Sequence, residues 1–243
     1  MAGMARWRNR FAALARTGLP EAFGCPVPDA ERIWIDEQLI WLADEFGAQA
    51  FQGPVVLPTA EFFPEQYQGT LEDAARLLDR VAGYLGVESR RIDLEVYSAA
   101  QLPGVAGHYQ LRNGRPVISI ERGRLDRAGS VIAVIAHELC HDRLIGEGRI
   151  DPARREDHER LTDLLGVFLG LGVIQANHRT EFSVTGGGLR VSRLGYLTEP
   201  MYGYALARHA WLRTEYDPGW AAHLDLGPAG QYHRARLYLD TQG

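Results

Sequence analysis

The chain has 243 residues and a mass of 27.1 kDa, with 46% hydrophobic and 23% charged residues. That balance is globular and excludes disordered, collagenous and low-complexity classes. The net charge is -5 and all 26 basic residues are arginine, which argues against a nucleic-acid partner and excludes lysine-dependent chemistry such as a P-loop or a Schiff base.

Residues 1–28 read as an N-terminal arm, partly irregular. Arg6, Arg8, Arg10 and Arg16 surround Trp7, Phe11 and Leu14 without the apolar core of a secretory signal. The remainder, 29–243, is expected to be one domain, since no repeat or linker interrupts it. Asp29 can cap a helix over 30–46, stopped by Gly47, with Ile33, Ile40 and Trp41 on its apolar side. The Pro- and Gly-bearing stretch 48–69 reads as a long loop. Thr70-Leu71-Glu72-Asp73 forms a capping box for a helix ending at Gly86. Strands are expected over 92–97, 105–112 and 116–121, the last two joined by the hairpin signal Asn113-Gly114.

A helix is then expected over 126–145, with Asp126 as cap and Gly146 as stop. Periodicity alone would also allow a buried strand at Val131–Ile135; length and caps favour helix. Asp151-Pro152 opens a helix running to about residue 171. Polar turns fill 175–197, including a flexible Gly186-Gly187-Gly188. Helices over about 199–214, 218–225 and 229–239 close the chain, with Thr198 and Asp217 as caps. The fold class is therefore α+β and helix-rich, with a small sheet of three to four strands and a helical C-terminal part over about 198–243. The longest apolar run, Val131 to Ala136, is too short to span a bilayer, so no stable membrane insertion is expected. Cys25 and Cys140 supply neither a disulfide framework nor a Cys-rich zinc site, which fits a reduced, cytoplasmic compartment.

His137-Glu138-Leu139-Cys140-His141 is an HExxH motif. On a helix, residues four apart leave nearly the same face one turn up, so both imidazoles can meet one metal. Glu138 lies beside the first ligand without joining it, where it can hold a metal-bound water. Cys140 reads as a small buried hydrophobe. Two histidines do not make a catalytic zinc site, so a third ligand is required. Downstream, Glu159, Asp163, Gly166 and Gly170 form one helical stripe. Two glycines cost about 1 kcal/mol each in a helix interior and make sense where another helix approaches closely. The helix bearing His137 and His141 is the expected neighbour. Glu159 then reaches the metal, with His158 and Asp163 as substitutes. Asp163, among Leu161, Leu164 and Leu165, is expected to be partly buried and to accept the outer N–H of a ligand histidine.

HELCH followed by ERLTD resembles the gluzincin type of zinc metallopeptidase. The resemblance implies one Zn²⁺ per chain on His137, His141 and Glu159, with Glu138 as general base and Asp163 behind a ligand histidine. It implies a zincin-like fold, whose sheet edge just before the metal helix binds extended peptide. Here that edge would be Val117–Glu121, with the 105–112 strand beside it. The substrate would be a peptide or protein. The segment 195–204 is dense in phenols, and Tyr202, Tyr204 and His209 are candidate donors to a developing oxyanion, with core packing as the competing role. His108 and Tyr109 either line the cleft or pack as ordinary strand residues; Trp211, Trp220 and Tyr232 are expected in the core. The expected function is zinc-dependent peptide hydrolysis. The alternatives are a metal-binding regulator or sensor on the same scaffold, with little or no protease activity, and a structural zinc site.

Overall fold

The computed structural model describes residues 24–185 and 188–242. The basic arm up to residue 23 and Gly186-Gly187 of the expected turn lie outside the described residues.

Helix α1 spans Asp29–Phe46 and is capped at Pro28, so Asp29 sits in the first turn, where a carboxylate complements the helix dipole. Its inward stripe is Ile35, Leu39 and Leu42, and Ile33 is 45% exposed. The expected face was out of phase because the flanking tryptophans are apolar too: Arg155 stacks over Trp41 and Arg160 over Trp34. A single turn, α2 (Ala48–Phe51), interrupts the expected loop and buries Phe51. Helix α3 (Leu71–Leu85) starts at the capping box as expected. The Asp73 N–H donates to Thr70 Oγ1 at 3.1 Å, and the Thr70 N–H donates to Asp73 Oδ2 at 3.0 Å.

Strands β1 (Asp93–Tyr97), β2 (Gly107–Arg112) and β3 (Arg115–Glu121) form one mixed sheet in the order β1-β3-β2. Asn113 and Gly114 both adopt positive φ, 53° and 75°, which the two-residue hairpin turn requires. Strand β3 pairs with β1 in parallel and with β2 antiparallel, so both its edges are taken. This corrects the expectation of an open edge at Val117–Glu121; among the described residues, the unpaired edge beside the HExxH helix belongs to β2. The run Val117-Ile118-Ser119-Ile120 is buried throughout, as suits a strand covered on both faces.

Helix α4 (Ala128–His141) begins after Arg127, not at Asp126, and passes into a π-helical turn over Asp142–Gly146. The wider turn accompanies a fully buried Asp142, which accepts from Arg91 (Nη1 at 3.0 Å, and Nη2) and from the Tyr109 hydroxyl at 3.1 Å. Gly146 admits this network: a Cβ there would lie 2.4 Å from the Tyr109 hydroxyl.

The long helix expected from Asp151 does not form. Asp151 caps only a 3-10 turn over Pro152–Arg154, and Arg155 is extended. Arg155 reaches Gln38 and Asp157, while Asp157 accepts the Trp34 indole N–H at 2.7 Å, so side chains of α1 hold this corner open. Helix α5 follows over His158–Phe168, then α6 over Gly172–His178. The two glycines do not face α4, and only Gly166 lies within α5. Gly166 meets the side chain of Gln175 on α6, and Gly170, with φ +89°, meets the Pro54 carbonyl. Where only turns were expected, α6 is followed by a two-stranded hairpin, β4 (Thr180–Thr185) with β5 (Gly188–Arg193). Thr198 caps α7 (Glu199–Leu212) as expected. The end of the chain is a 3-10 turn at Gly219–His223 and helix α8 (Leu226–Asp240); its cap position is Asp225, and Asp217 caps neither.

The result is a helix-rich α+β fold with α4 at its centre. Every side chain of α4 from Ser130 to Ala136 is buried. The sheet, α3, α5 and α6 all contact α4, so its C-terminal end is held from several sides. Among the described residues, no helix is long and apolar enough to cross a membrane.

Candidate metal centre

The HExxH motif occupies the last turn of α4, and α5 crosses beside it. Glu159, in the first turn of α5, places Oε2 at 3.4 Å from His137 Nε2 and 3.2 Å from His141 Nε2. The two imidazoles meet edge to face, with centroids 4.8 Å apart. One donor atom from each of His137, His141 and Glu159 lies within 4.8 Å of the others, and among the described residues this is the one such group able to hold a metal ion.

The outer nitrogens are held as well. His137 Nδ1 lies 2.8 Å from Asp163 Oδ1. The Thr162 hydroxyl donates to the His158 carbonyl at 2.8 Å, which leaves its oxygen to accept from His141 Nδ1 at 3.3 Å. Both arrangements put the proton on Nδ1 and turn the Nε2 lone pairs towards Glu159. This donor chemistry fits a divalent cation: two oriented imidazoles and one carboxylate converge on one point.

Asp163 is 1% exposed and also anchors the strap of residues 194–198. Its Oδ2 accepts the backbone N–H groups of Tyr196 and Leu197, the latter at 2.9 Å. Gly195 makes the approach possible. It has φ +85°, and a Cβ there would sit 2.7 Å from Asp163 Oδ2.

The charges are uneven. Burial pushes the Glu138 carboxyl up to about 7, against the pull of His137 and His108. Burial also works against ionised Glu159, but its bonds to His137 and His141 outweigh that and hold it well below the usual carboxylate range. For His137, burial favours the neutral ring, yet the hydrogen bonds to Asp163 and Glu159 win and raise it well above its ordinary value. Burial keeps His141 below its ordinary value. The site thus holds a carboxyl group able to exchange a proton near neutrality beside a fixed anionic one.

A cavity of about 640 Å³ opens over these residues, between the β2 edge, α4, α6 and the strap. The expected residues fall as follows. His137, Glu138, His141 and Glu159 come together, with Asp163 behind His137. His158 stays outside the ligand group, its Nδ1 3.9 Å from Glu159. His108 and Tyr109 both border the cavity, and Tyr109 stacks on His141 with centroids 6.2 Å apart. Cys140, Trp220 and Tyr232 are buried in the core, and Trp211 packs half-buried against it.

Of the three donor candidates, only Tyr202 borders the cavity, and its buried phenol hydrogen-bonds Asp163. Tyr204 turns away and donates to Asp36 at 3.1 Å. His209 is buried beside Phe51, with ring centroids 4.6 Å apart, and does not border the cavity. The sequence reading passed over Tyr196 in the same phenol-rich segment. That side chain is 57% exposed, borders the cavity and stacks on His137 at 6.2 Å. Thr162 was also missed; it occupies the position just before Asp163 and completes the hold on the second histidine.

No family model, no curated protein and no solved structure matches this chain.

Proposed function

We propose that the protein is a zinc-dependent hydrolase of the zincin-like, gluzincin type that cleaves peptide bonds. The observation that carries this reading is the convergence of His137 Nε2, His141 Nε2 and Glu159 Oε2 on one point, with buried Glu138 beside them in an open cleft. Two neutral imidazoles and a carboxylate suit zinc, and three protein ligands leave one position for water. When bound, zinc would polarise the scissile carbonyl and lower the pKa of its water to about 7.

The side chains divide the remaining work. Glu138 takes the proton of the attacking water and passes it to the leaving amine, a role suited to a carboxyl group that burial pushes above its usual range. Asp163 and Thr162 fix the histidine tautomers. Tyr196, on the wall of the cleft, supplies the phenol that donates to the oxyanion, in place of Tyr204 and His209. The edge of β2 that no described strand occupies receives the peptide as an added strand. Gly107 lets that edge come close, since a Cβ there would lie 2.6 Å from Glu138 Oε1.

Metal analysis of the purified chain beside His141→Ala tests the proposal. Wild type should carry one zinc per chain, lost in the variant, and should cleave a randomised peptide library. Equal metal content in the two proteins, or cleavage unaffected by chelation, would overturn it.

A further inference from the structure

We propose that Gln175 sets the side-chain preference of the cleft by pairing with a carboxamide side chain of the bound substrate. The inference rests on the peptide-hydrolase reading and names what that site selects. Gln175 lies on α6, is 4% exposed, and borders the same cavity as His137 and Glu138. Neither its Oε1 nor its Nε2 has a hydrogen-bond partner among the described residues. Buried polar groups are nearly always paired, and a primary amide left unpaired is costly. The amide is held in this place by design of its neighbour: Gly166 on α5 has no side chain, and a Cβ there would lie 2.1 Å from Gln175 Oε1.

The surroundings leave the amide as the group that reads the ligand at this end of the cleft. Ala133 and Val134 of α4 form an apolar wall, and the nearby Tyr202 phenol is engaged with Asp163. The Arg179 guanidinium, also at the cavity, donates its Nε–H to the Leu197 carbonyl at 2.7 Å and so ties α6 to the strap. An amide offers one acceptor and two donors. A substrate carboxamide matches it with two reciprocal bonds, whereas an aliphatic side chain leaves both of its atoms unpaired. Sites built to hydrogen-bond a substrate group discriminate strongly against analogues that lack it.

The test uses the zinc-loaded protein as wild type, Gln175→Leu and Gln175→Met, with zinc content and melting temperature confirming that each is folded. Cleavage of a randomised peptide library should show Asn or Gln favoured at least tenfold over Leu at one position flanking the cut. Both variants should reverse that preference while still cleaving. A parallel measurement takes glutamine hydroxamate and leucine hydroxamate as metal-anchored probes and reads binding instead of turnover. The ratio of their affinities should favour glutamine hydroxamate in wild type and fall at least tenfold in either variant. An unchanged ratio with intact hydroxamate binding overturns the role of Gln175 alone. Binding with the expected ratio but no cleavage overturns the peptidase reading and leaves the carboxamide pocket standing. Absence of hydroxamate binding in wild type overturns both.

Discussion

His137 and Asp163 are joined at 2.8 Å from Nδ1 to Oδ1, while the second oxygen of the same carboxylate takes the Leu197 N–H at 2.9 Å. One buried carboxylate therefore sets both the tautomer of an imidazole on α4 and the position of the strap that carries Tyr196.

Asp163→Asn tests that coupling. The amide cannot accept from the histidine and from both strap N–H groups at once, so the imidazole loses its orientation. Zinc affinity should fall about 10–100-fold, the usual effect of losing such a partner. Competition with a chromogenic chelator measures it, and an unchanged affinity would show that His137 is oriented by something else.

Glu138→Gln separates binding from chemistry. The variant should retain one zinc per chain and lose about 100-fold or more in turnover, the scale of a missing general base. It should also change the pH dependence of the metal-free protein. Folded Glu138 keeps its proton to about 7, while the unfolded carboxyl releases it near 4.5, so wild-type stability declines as pH rises between those values. Melting curves of the stripped proteins across that window should diverge, with the Gln variant the more stable above pH 7.

Arg91→Ala probes the corner after the motif. Asp142 is fully buried, and Arg91 is its cationic partner, with the Tyr109 hydroxyl as the other bond. A buried charge stripped of its partner costs about 3 kcal/mol or more. Urea unfolding should show a loss of that order, and a change within 0.5 kcal/mol, the size of an ordinary surface substitution, would mean that Asp142 does not need its guanidinium.

His209→Leu addresses the C-terminal helices. Among the described residues neither ring nitrogen of His209 has a hydrogen-bond partner, and burial pushes its pKa down to about 3 from 6.5. Between those values the unfolded chain binds a proton that the folded chain refuses, so stability is lost as pH falls. For one such group the loss between pH 7 and pH 5 is about 2 kcal/mol. The Leu variant should lack this component, and parallel acid dependence of the two proteins would refute the assignment.

Much of the site was legible in the sequence because its spacing matches helical geometry. His137, Glu138 and His141 share one turn, and Glu159 and Asp163 share the next helix at a four-residue interval, so local periodicity was enough to group them. The capping box at Thr70 and the Asn113-Gly114 hairpin were legible for the same reason: each is decided by a few adjacent residues. What failed depended on distant partners. The helix expected after Asp151 yields to Trp34 and Gln38, which act across more than a hundred positions of sequence. Gly166 and Gly170 do mark close approach, but to Gln175 and the Pro54 carbonyl and not to the histidine-bearing helix, because periodicity does not say what approaches. Pairing order likewise decides which strand ends the sheet, and no local pattern in 115–121 announces that this strand returns in parallel beside β1 and so has both edges covered. Tyr196 was passed over because its role follows from the strap bound to Asp163, a contact spanning 33 positions.

The placement of Glu159 between two Nε2 atoms has a consequence for how the centre fills. With raised basicity at His137 and a carboxylate spanning both rings, hydrogen ions and divalent cations compete for one seat. A divalent cation entering this group would therefore expel acid into the medium and be held tighter in alkaline solution, so that the environment's acidity would act as a throttle on how many molecules carry one.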